Sequence, residues 1–270
     1  MLTIDILICT INEGILNVPK ILLPVTDGIG YVVSMQYTDE KYIAMIPKEL
    51  DRKDVYITKI KGRGLSVNRN NSILNSDADI CIIADDDVRY DIGTILRLRQ
   101  FYDENPDVGV VLMRAADVDG NFLKEYPKEE LLLKKMPKGY YPSSIEISFR
   151  RKSLRGIMFD GRFGLGSEFT VCGEEEVFVH SLMKNGVLVK FVPVTLVYTT
   201  ERPKSALGFA ERKELQFTKG AVLYYIYGWS SFLRCLKCAL KYAIEERKSF
   251  FSMYKEMLKG ILYIKRTEKA

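Results

Sequence analysis

Three consecutive aspartates, Asp85, Asp86 and Asp87, directly follow an apolar run at residues 78–84. Adjacent carboxylates repel one another, so such a cluster is stable only when it is solvated or neutralised. Hard divalent cations prefer oxygen ligands, and Mg²⁺ usually shares its coordination shell with substrate phosphates. The cluster therefore indicates a site for Mg²⁺ or Mn²⁺ and a phosphate-bearing ligand. A solvated acidic turn that precedes the next helix is the alternative interpretation.

A second acidic group, Glu174, Glu175 and Glu176, stands at the start of a predicted helix, after a glycine-rich segment at 163–167. A carboxylate in this position can act as a general base, a role that contributes roughly 10²- to 10⁴-fold to a rate. Acidic residues also favour a helix N-terminus because of the helix dipole. Both interpretations fit the sequence, and the glycine-rich approach favours the chemical one.

The elements that must position these groups alternate in type. Four short apolar runs predict buried strands at 5–10, 30–35, 78–84 and 108–113. Helical patterns lie between them at 65–74 and 92–102. Later patterns predict a strand at 144–149, a helix at 174–184, and one or two strands, divided at Pro193, at 187–198. This alternation predicts an α/β fold with a mainly parallel sheet flanked by helices, in which ligands bind at the carboxyl ends of strands.

Composition limits the class of protein. The chain has 270 residues, of which 47% are hydrophobic and 28% are charged, and these values exclude disordered, collagen-like and disulfide-scaffold classes. Its longest uncharged stretch, 220–233, is 14 residues long, shorter than the roughly 18–20 residues that a membrane-spanning helix needs. The five cysteines are scattered and the first residues carry no signal-peptide pattern, so we expect a cytoplasmic protein.

The C-terminal part is basic and helical in pattern, and we expect it to form an appendage at 205–270 beside a domain at 1–204. Residues 220–270 contain ten Lys and Arg but four Asp and Glu. Apolar residues recur there at helical spacing beside a basic stripe of Arg234, Lys237 and Lys241. Such a helix either lies peripherally on an anionic membrane surface or packs its apolar face on the domain. No nucleic-acid-binding module accompanies the basic residues, so we expect no nucleic-acid partner.

Four motifs in one order resemble those of family 2 glycosyltransferases with the GT-A fold. They are Thr10-x-Asn12, Gly64-x-Ser66-x-x-Arg69-Asn70, Asp85-x-Asp87 and Gly173-Glu174-Glu175, and together they span roughly residues 5–200. The resemblance implies a GT-A nucleotide-binding sheet. It also implies inverting transfer of a sugar from a nucleotide-sugar donor to a hydroxyl of a glycan or lipid-linked acceptor. The setting it implies is bacterial surface polysaccharide assembly at the inner face of the cell membrane.

The resemblance also implies roles for individual residues. Asp85 and Asp87 would hold the Mg²⁺ or Mn²⁺ ion, Glu175 would be the catalytic base, and Glu174 would bind the acceptor. The donor would be bound by Thr10, Asn12, Glu13, Gln36, Asp39, Arg63, Arg69, Asn70 and Asp86. Arg69 has an equal second interpretation, as a helix residue that pairs with the acidic cluster.

Two departures from the family pattern leave other functions open. Gln36 stands near the position where members often carry an acidic residue that contacts the base of the nucleotide. Residues 197–201 lack the late histidine that ligates the metal in many members. These departures keep open a non-catalytic, membrane-surface nucleotide-binding module. A nucleotidyltransferase is the other alternative, although residues 11–14 lack the Gly-rich, Arg-containing loop expected of that class.

Overall fold

The computed structural model describes residues 1–199 and 208–267, so the expected boundary between residues 204 and 205 lies outside the described residues. The chain divides into two compact units. The first comprises Met1–Arg63, Val67–Met158 and the described residues from Ser181 to Thr199. The second comprises Gly64–Ser66, Phe159–His180 and the described residues from Gly208 onward.

All strands of the described residues lie in the first unit and form one sheet. They are β1 (Ile4–Ile11), β2 (Ile29–Tyr37), β3 (Val55–Lys61), β4 (Ile80–Asp85), β5 (Val88–Tyr90), β6 (Val108–Asp117), β7 (Leu131–Leu133), β8 (Ile147–Arg150) and β9 (Leu188–Thr199). The strand order is β3-β2-β1-β4-β8-β6-β9-β5, and β7 pairs with β9.

Parallel pairing holds in the half of the sheet that carries the aspartates. The strands β3, β2, β1 and β4 are parallel to one another, and Cys9 of β1 stands opposite Asp85 of β4. The carboxyl ends of these strands therefore meet at one edge, as in other parallel sheets. The strand β8 runs antiparallel to both β4 and β6, while β6 and β9 are parallel. The predicted α/β class is confirmed, with antiparallel strands in its second half.

The helices are α1 (Leu65–Leu74), α2 (Ile92–Glu104), α3 (Glu174–Lys184), α4 (Lys213–Tyr227), α5 (Ser231–Glu245) and α6 (Phe250–Thr267). The bounds of α1 and α3 coincide with the predicted ones. The N-cap of α2 is Asp91, whose carboxylate accepts a hydrogen bond from the Thr94 amide at 2.8 Å. Asp91 thereby satisfies one of the donors that a helix start leaves unpaired.

One local prediction is wrong, and one alternative that the sequence left open is settled. Residues 144–146, predicted as the start of a strand, form a 3-10 turn, and the strand begins only at Ile147. Residues 188–199 form one strand rather than two. The register between β6 and β9 shifts between Leu112 and Arg114, opposite the stretch that contains Pro193. A proline is tolerated within a strand at such an irregularity because no regular ladder bond is lost there.

The C-terminal part of the second unit is a bundle of α4, α5 and α6. Two glycines allow α4 and α6 to approach closely: a Cβ on Gly220 would overlap the carbonyl of Met257, and one on Gly260 would overlap the carbonyl of Phe217. The predicted helical character of this region is confirmed. Among residues 1–199 and 208–267, no helix has both the length and the apolar character needed to cross a bilayer.

The close helix crossing predicts a large effect of a small substitution. Gly260→Ala is expected to lower the free energy of unfolding by about 1–3 kcal/mol, because the added methyl forces two backbones apart. The matched control is Gly161→Ala in the same unit, where a Cβ meets no atom of the described residues within 4 Å. Urea unfolding of both variants checks this, and equal midpoints would contradict the inferred crossing.

Candidate functional site

The acidic cluster lies at the carboxyl end of β4. Asp85 is the last residue of that strand, and Asp86 and Asp87 form the turn into β5. The Asp85 carboxylate accepts hydrogen bonds from Arg69 Nη2 at 3.4 Å and Ser144 Oγ at 3.2 Å. The Arg69 side chain is 1% exposed, whereas that of Asp85 is 39% exposed. A buried guanidinium thus holds one side of a carboxylate that remains accessible on the other.

Asp86 makes a different contact, with the end of β1. Thr10 Oγ1 donates a short hydrogen bond to Asp86 Oδ2. Burial, with added repulsion from Asp85 and Asp87, raises the pKa of the Asp86 carboxyl to about 6, although the Thr10 bond acts in the opposite direction. A Cβ on Gly14 would overlap both the Asp86 carboxylate and the Thr10 hydroxyl. A glycine at position 14 is therefore needed for this contact to form.

Asn12 connects the ends of two neighbouring strands. Its Oδ1 accepts hydrogen bonds from the Thr38 amide at 2.9 Å and the Thr38 hydroxyl at 3.2 Å. Its φ of 51° lies in the left-handed region, which asparagine tolerates better than most residues. Next to this connection, Gln36 is buried near the end of β2, opposite Ile11. The two residues thus lie at the carboxyl edge of the parallel strands.

The remaining predicted donor-binding residues lie farther out on the surface. Glu13 and Arg63 are exposed, and Asn70 is half-buried. Asp39 is also exposed, and its carboxylate accepts a hydrogen bond from the Lys41 amide at the start of a 3-10 turn. The contacts of the first unit therefore connect Thr10 and Arg69 directly with the acidic cluster.

Two asparagines of α1 that the sequence analysis did not single out hold this helix on the sheet. Asn68 donates to the Thr10 carbonyl at 3.0 Å and accepts from Ser34 Oγ at 2.6 Å. Asn71 donates to Ser34 Oγ at 2.7 Å. Because Arg69 lies between them in the sequence, the same hydrogen bonds fix the position of its backbone. The signal available in the sequence was the high density of asparagines in a predicted helix, because asparagine is uncommon within helices.

A buried carboxylate outside the recognised motifs supports the turn beside Asp85. Glu146 is fully buried and pairs with Lys124 Nζ at 2.9 Å. It also accepts hydrogen bonds from the hydroxyls of Tyr126 at 2.7 Å and Tyr140 at 3.2 Å. Glu146 and Ser143 form a capping box around the 3-10 turn 144–146. The sequence offered one signal for it, a single glutamate within the otherwise uncharged stretch 139–149.

This network fixes a residue that contacts the site. Ser144, whose hydroxyl donates to Asp85, is the first residue of the same 3-10 turn. Lys124 also donates to Ser143 Oγ at 2.6 Å and to the Tyr141 carbonyl at 2.8 Å. The ion pair therefore joins three segments of the loop-rich region between β6 and β8.

In the second unit, the Gly-x-Ser motif meets the loop that precedes the acidic helix start. Ser66 Oγ donates to the Phe163 carbonyl at 2.7 Å, and the Leu65 amide donates to the Leu165 carbonyl at 2.8 Å. Between these bonds lies Gly164, with a φ of 99°, and a Cβ there would stand 3.0 Å from Cδ of Glu174. The conformation and the close approach both call for glycine.

The two predicted acidic residues of α3 differ in exposure. Glu174 is buried, with its carboxylate beside the backbone of Gly164. Glu175 is half-buried in the first turn of the helix. Before them, Gly173 adopts a φ of 89°, and a Cβ there would overlap Val222 of α4. The half-buried Glu175 has the more accessible side chain of the pair.

The carboxylate oxygens of the acidic cluster are suitable ligands for a hard divalent cation. Asp85 is half-buried and Asp87 is exposed, so both present carboxylate oxygens of the kind that Mg²⁺ and Mn²⁺ prefer. Within residues 1–199 and 208–267, no group of three or more His, Cys, Asp or Glu side chains is arranged to hold a metal ion. Of the segment in which a late histidine ligand was sought, residues 200 and 201 lie outside the described part.

Comparison with protein families bears on the choice between the two enzyme classes considered above. Residues 40–162, which include α1 and all three aspartates, match the family model described as glycosyl transferase family 2. The matched segment is 123 of the 270 residues, slightly less than half of the chain. The match supports a glycosyltransferase rather than a nucleotidyltransferase. No curated protein sequence matches the chain.

Solved structures similar to this one include several of S. aureus TarS. TarS 1–349 has a TM-score of 0.61 at 14% identity, covering 98% of this chain and 92% of that chain. The same TarS segment in complex with UDP-GlcNAc has a TM-score of 0.60 at 15% identity, with the same coverage. A further TarS structure has a TM-score of 0.55 at 16% identity, and this chain spans 43% of its length. At these identities the similarity establishes the GT-A fold.

The buried ion pair beside the site predicts a coupled effect on stability. Glu146→Gln is expected to lower the free energy of unfolding by about 3–5 kcal/mol, because Lys124 is then left buried without its counter-charge. Adding Lys124→Met is expected to restore part of that loss. Urea unfolding of the single and double variants measures the coupling, with the exposed Glu129→Gln as the control. Strictly additive effects would contradict the network.

Proposed function

We propose that this chain is a family 2 glycosyltransferase that transfers a sugar from a nucleoside diphosphate sugar to a hydroxyl of a glycan or lipid-linked acceptor, with inversion at the anomeric carbon. The observation that carries the proposal is the acidic cluster at the carboxyl end of β4, in contact with Thr10 of β1 and with Arg69. In open α/β sheets, nucleotides bind at this edge. The family match covers the acidic cluster and Arg69.

Departure of a nucleoside diphosphate leaves negative charge that needs neutralisation. In this proposal Asp85 and Asp87 hold Mg²⁺ or Mn²⁺, which supplies positive charge to the departing diphosphate. Arg69 and Ser144 fix the Asp85 carboxylate, so that it stays aligned without substrate. The hydrogen bond from Thr10 stabilises the ionised Asp86 carboxylate and so partly offsets the repulsion from Asp85 and Asp87.

Glu175 is the proposed general base. It accepts the proton of the acceptor hydroxyl while the hydroxyl oxygen bonds to the anomeric carbon and the bond from that carbon to the diphosphate oxygen breaks. This direct displacement inverts the anomeric configuration. Two observations support Glu175: its partial exposure, and its place in the first helical turn, where the helix dipole favours the ionised carboxylate. The buried Glu174 is proposed to bind the acceptor.

The donor base and the setting are extensions of this proposal. Structures of TarS have been solved in complex with UDP and with UDP-GlcNAc, and we propose a uridine nucleotide sugar as the first donor to test. The proposed setting is assembly of a bacterial surface polysaccharide at the cytoplasmic face of the membrane. All five cysteines are free thiols, as expected of a protein in a reducing compartment.

Removal of one carboxylate tests the nucleotide site. UDP with Mn²⁺ is expected to raise the melting temperature. A ligand at a free concentration of 100 times its Kd adds about 2.7 kcal/mol to the free energy of unfolding. Asp87→Ala is expected to abolish this shift without changing the melting temperature of the free protein. The control is Asp107→Ala, another exposed aspartate of the same unit. GDP, CDP and ADP complete the panel, and a shift that persists in Asp87→Ala would remove the cluster from the site.

Glu175→Gln separates binding from chemistry. The variant is expected to keep the thermal shift with UDP and Mn²⁺ but to release UDP from UDP-GlcNAc roughly 10²- to 10⁴-fold more slowly, because the base that activates the attacking hydroxyl is lost. Release with water as the acceptor is the readout, and the exposed Glu168→Gln is the control. An unchanged rate would refute the assignment of the base. Nucleotide binding by the parent chain without any turnover would instead favour the non-catalytic binding module.

A further inference from the structure

The apolar surface of the helix α5 is wider than the face that packs inside the bundle. Its inner face contains fully buried residues, Ser231, Cys235 and Ala239, and packs on α4 and α6. Cluster members on the same face, Phe232 and Tyr242, are partly buried. This packing confirms one of the two interpretations of the amphipathic pattern. It leaves a second set of apolar residues to be explained.

That second set is exposed. It comprises Leu233, Leu236, Leu240 and Ile244, which follow one another at intervals of three and four residues. At roughly 100° per residue, these positions fall within about 80° of the helix circumference. Leu233 is 66% exposed and Ile244 is 71% exposed. We call these four residues, together with Trp229 of the preceding 3-10 turn, the apolar stripe. Aligned large apolar side chains at such exposure are typical of an interaction surface.

A row of basic residues lies beside the apolar stripe. Arg234, Lys237 and Lys241 are all exposed, and their helical positions directly border the stripe. The one acidic residue of α5, Glu245, lies 3.9 Å from Lys241 at the end of the helix. An apolar band edged by cations complements an anionic lipid surface, in which acyl chains lie below negative headgroups.

Trp229 continues the stripe beyond the helix. It is 68% exposed, stacks on Phe232 at 5.6 Å between ring centroids, and lies under the ammonium of Lys265 at 4.4 Å. Tryptophan beside cations is enriched where a protein meets the headgroup level of a membrane. It is also the single tryptophan of the chain, so its fluorescence reports on this surface alone.

We propose that the apolar stripe and its basic row bind peripherally to an anionic membrane surface, with α5 lying in the plane of the headgroups. Charge favours this occupant over a second copy of the chain, because residues 220–270 carry ten Lys and Arg against four Asp and Glu and would repel an identical surface. All residues that carry the proposal belong to the bundle of the second unit, so it stands independently of the proposed transferase reaction.

Vesicle binding tests the proposal through Trp229. With vesicles of equal parts phosphatidylcholine and phosphatidylglycerol, the emission is expected to shift to shorter wavelength and to be quenched by lipids brominated in the acyl chain. Pure phosphatidylcholine vesicles are expected to bind much more weakly, and added salt is expected to weaken binding to the anionic ones. Absence of both the shift and the quenching with anionic vesicles would overturn the proposal.

Variants assign the effect to the surface. Leu240→Asp is expected to abolish binding, and replacing Arg234, Lys237 and Lys241 together by Gln is expected to weaken it roughly 100-fold, at about fivefold per residue. The control is Leu74→Asp, which changes a leucine in α1 of the first unit that is even more exposed than Leu240.

Folding and self-association are measured on the same samples. All variants keep Trp229, and unchanged melting temperatures show that they fold. Equal binding by Leu240→Asp and the parent would overturn the proposal. So would a dimer of the parent, seen by sedimentation without lipid, that Leu240→Asp dissociates while the parent fails to bind vesicles.

Discussion

Parallel pairing of β1 with β4 is the constraint on which the first unit's site depends. Because the two strands run in the same direction and in register, Thr10 at the end of one reaches Asp86 just beyond the end of the other. The same pairing brings the α1 asparagine Asn68 to the Thr10 carbonyl, and so places Arg69 beside Asp85. A shift of one residue in this register would turn each side chain to the opposite face of the sheet. The positions of the side chains at this edge thus depend on the backbone hydrogen bonds between the two strands.

Charged side chains are paired with partners at two adjacent places, the aspartate cluster and Glu146. Two of the three aspartates have distinct partners, a guanidinium and a serine on Asp85 and a threonine on Asp86. Behind them, Glu146 is buried completely and is balanced by Lys124 and two tyrosine hydroxyls. An unpaired charge at either place would cost several kcal/mol. The two sets meet at the 3-10 turn of Ser144, which makes the loop between β6 and β8 part of the site's support.

The sequence predicts the buried parts of the fold well and its edges poorly. Continuous apolar runs identified β1, β2, β4 and β6, because strands buried on both faces have few polar residues. The edge strand β3 was missed, since its exposed positions carry lysines and a tyrosine that interrupt any such run. Motif order identified Thr10, Arg69 and the aspartates, which the structure connects. It could not identify Glu146 or Asn68, because their roles come from partners distant in sequence, 22 and 58 residues away.

The helix α5 shows why periodicity alone left its role undecided. A hydrophobic pattern reports which residues avoid water, but it does not say whether a second helix or a lipid surface covers them. In the pattern, Phe232 and Leu233 are neighbours of similar character, yet the bundle covers the first and exposes the second. The face of α5 that packs in the bundle contains the small residues Cys235 and Ala239. Packing therefore covers only part of the apolar arc of this helix, and the rest of the arc continues onto its outer side. The remaining arc, edged by cations, is the part of the pattern that packing does not explain, and it is the part that an anionic surface would cover.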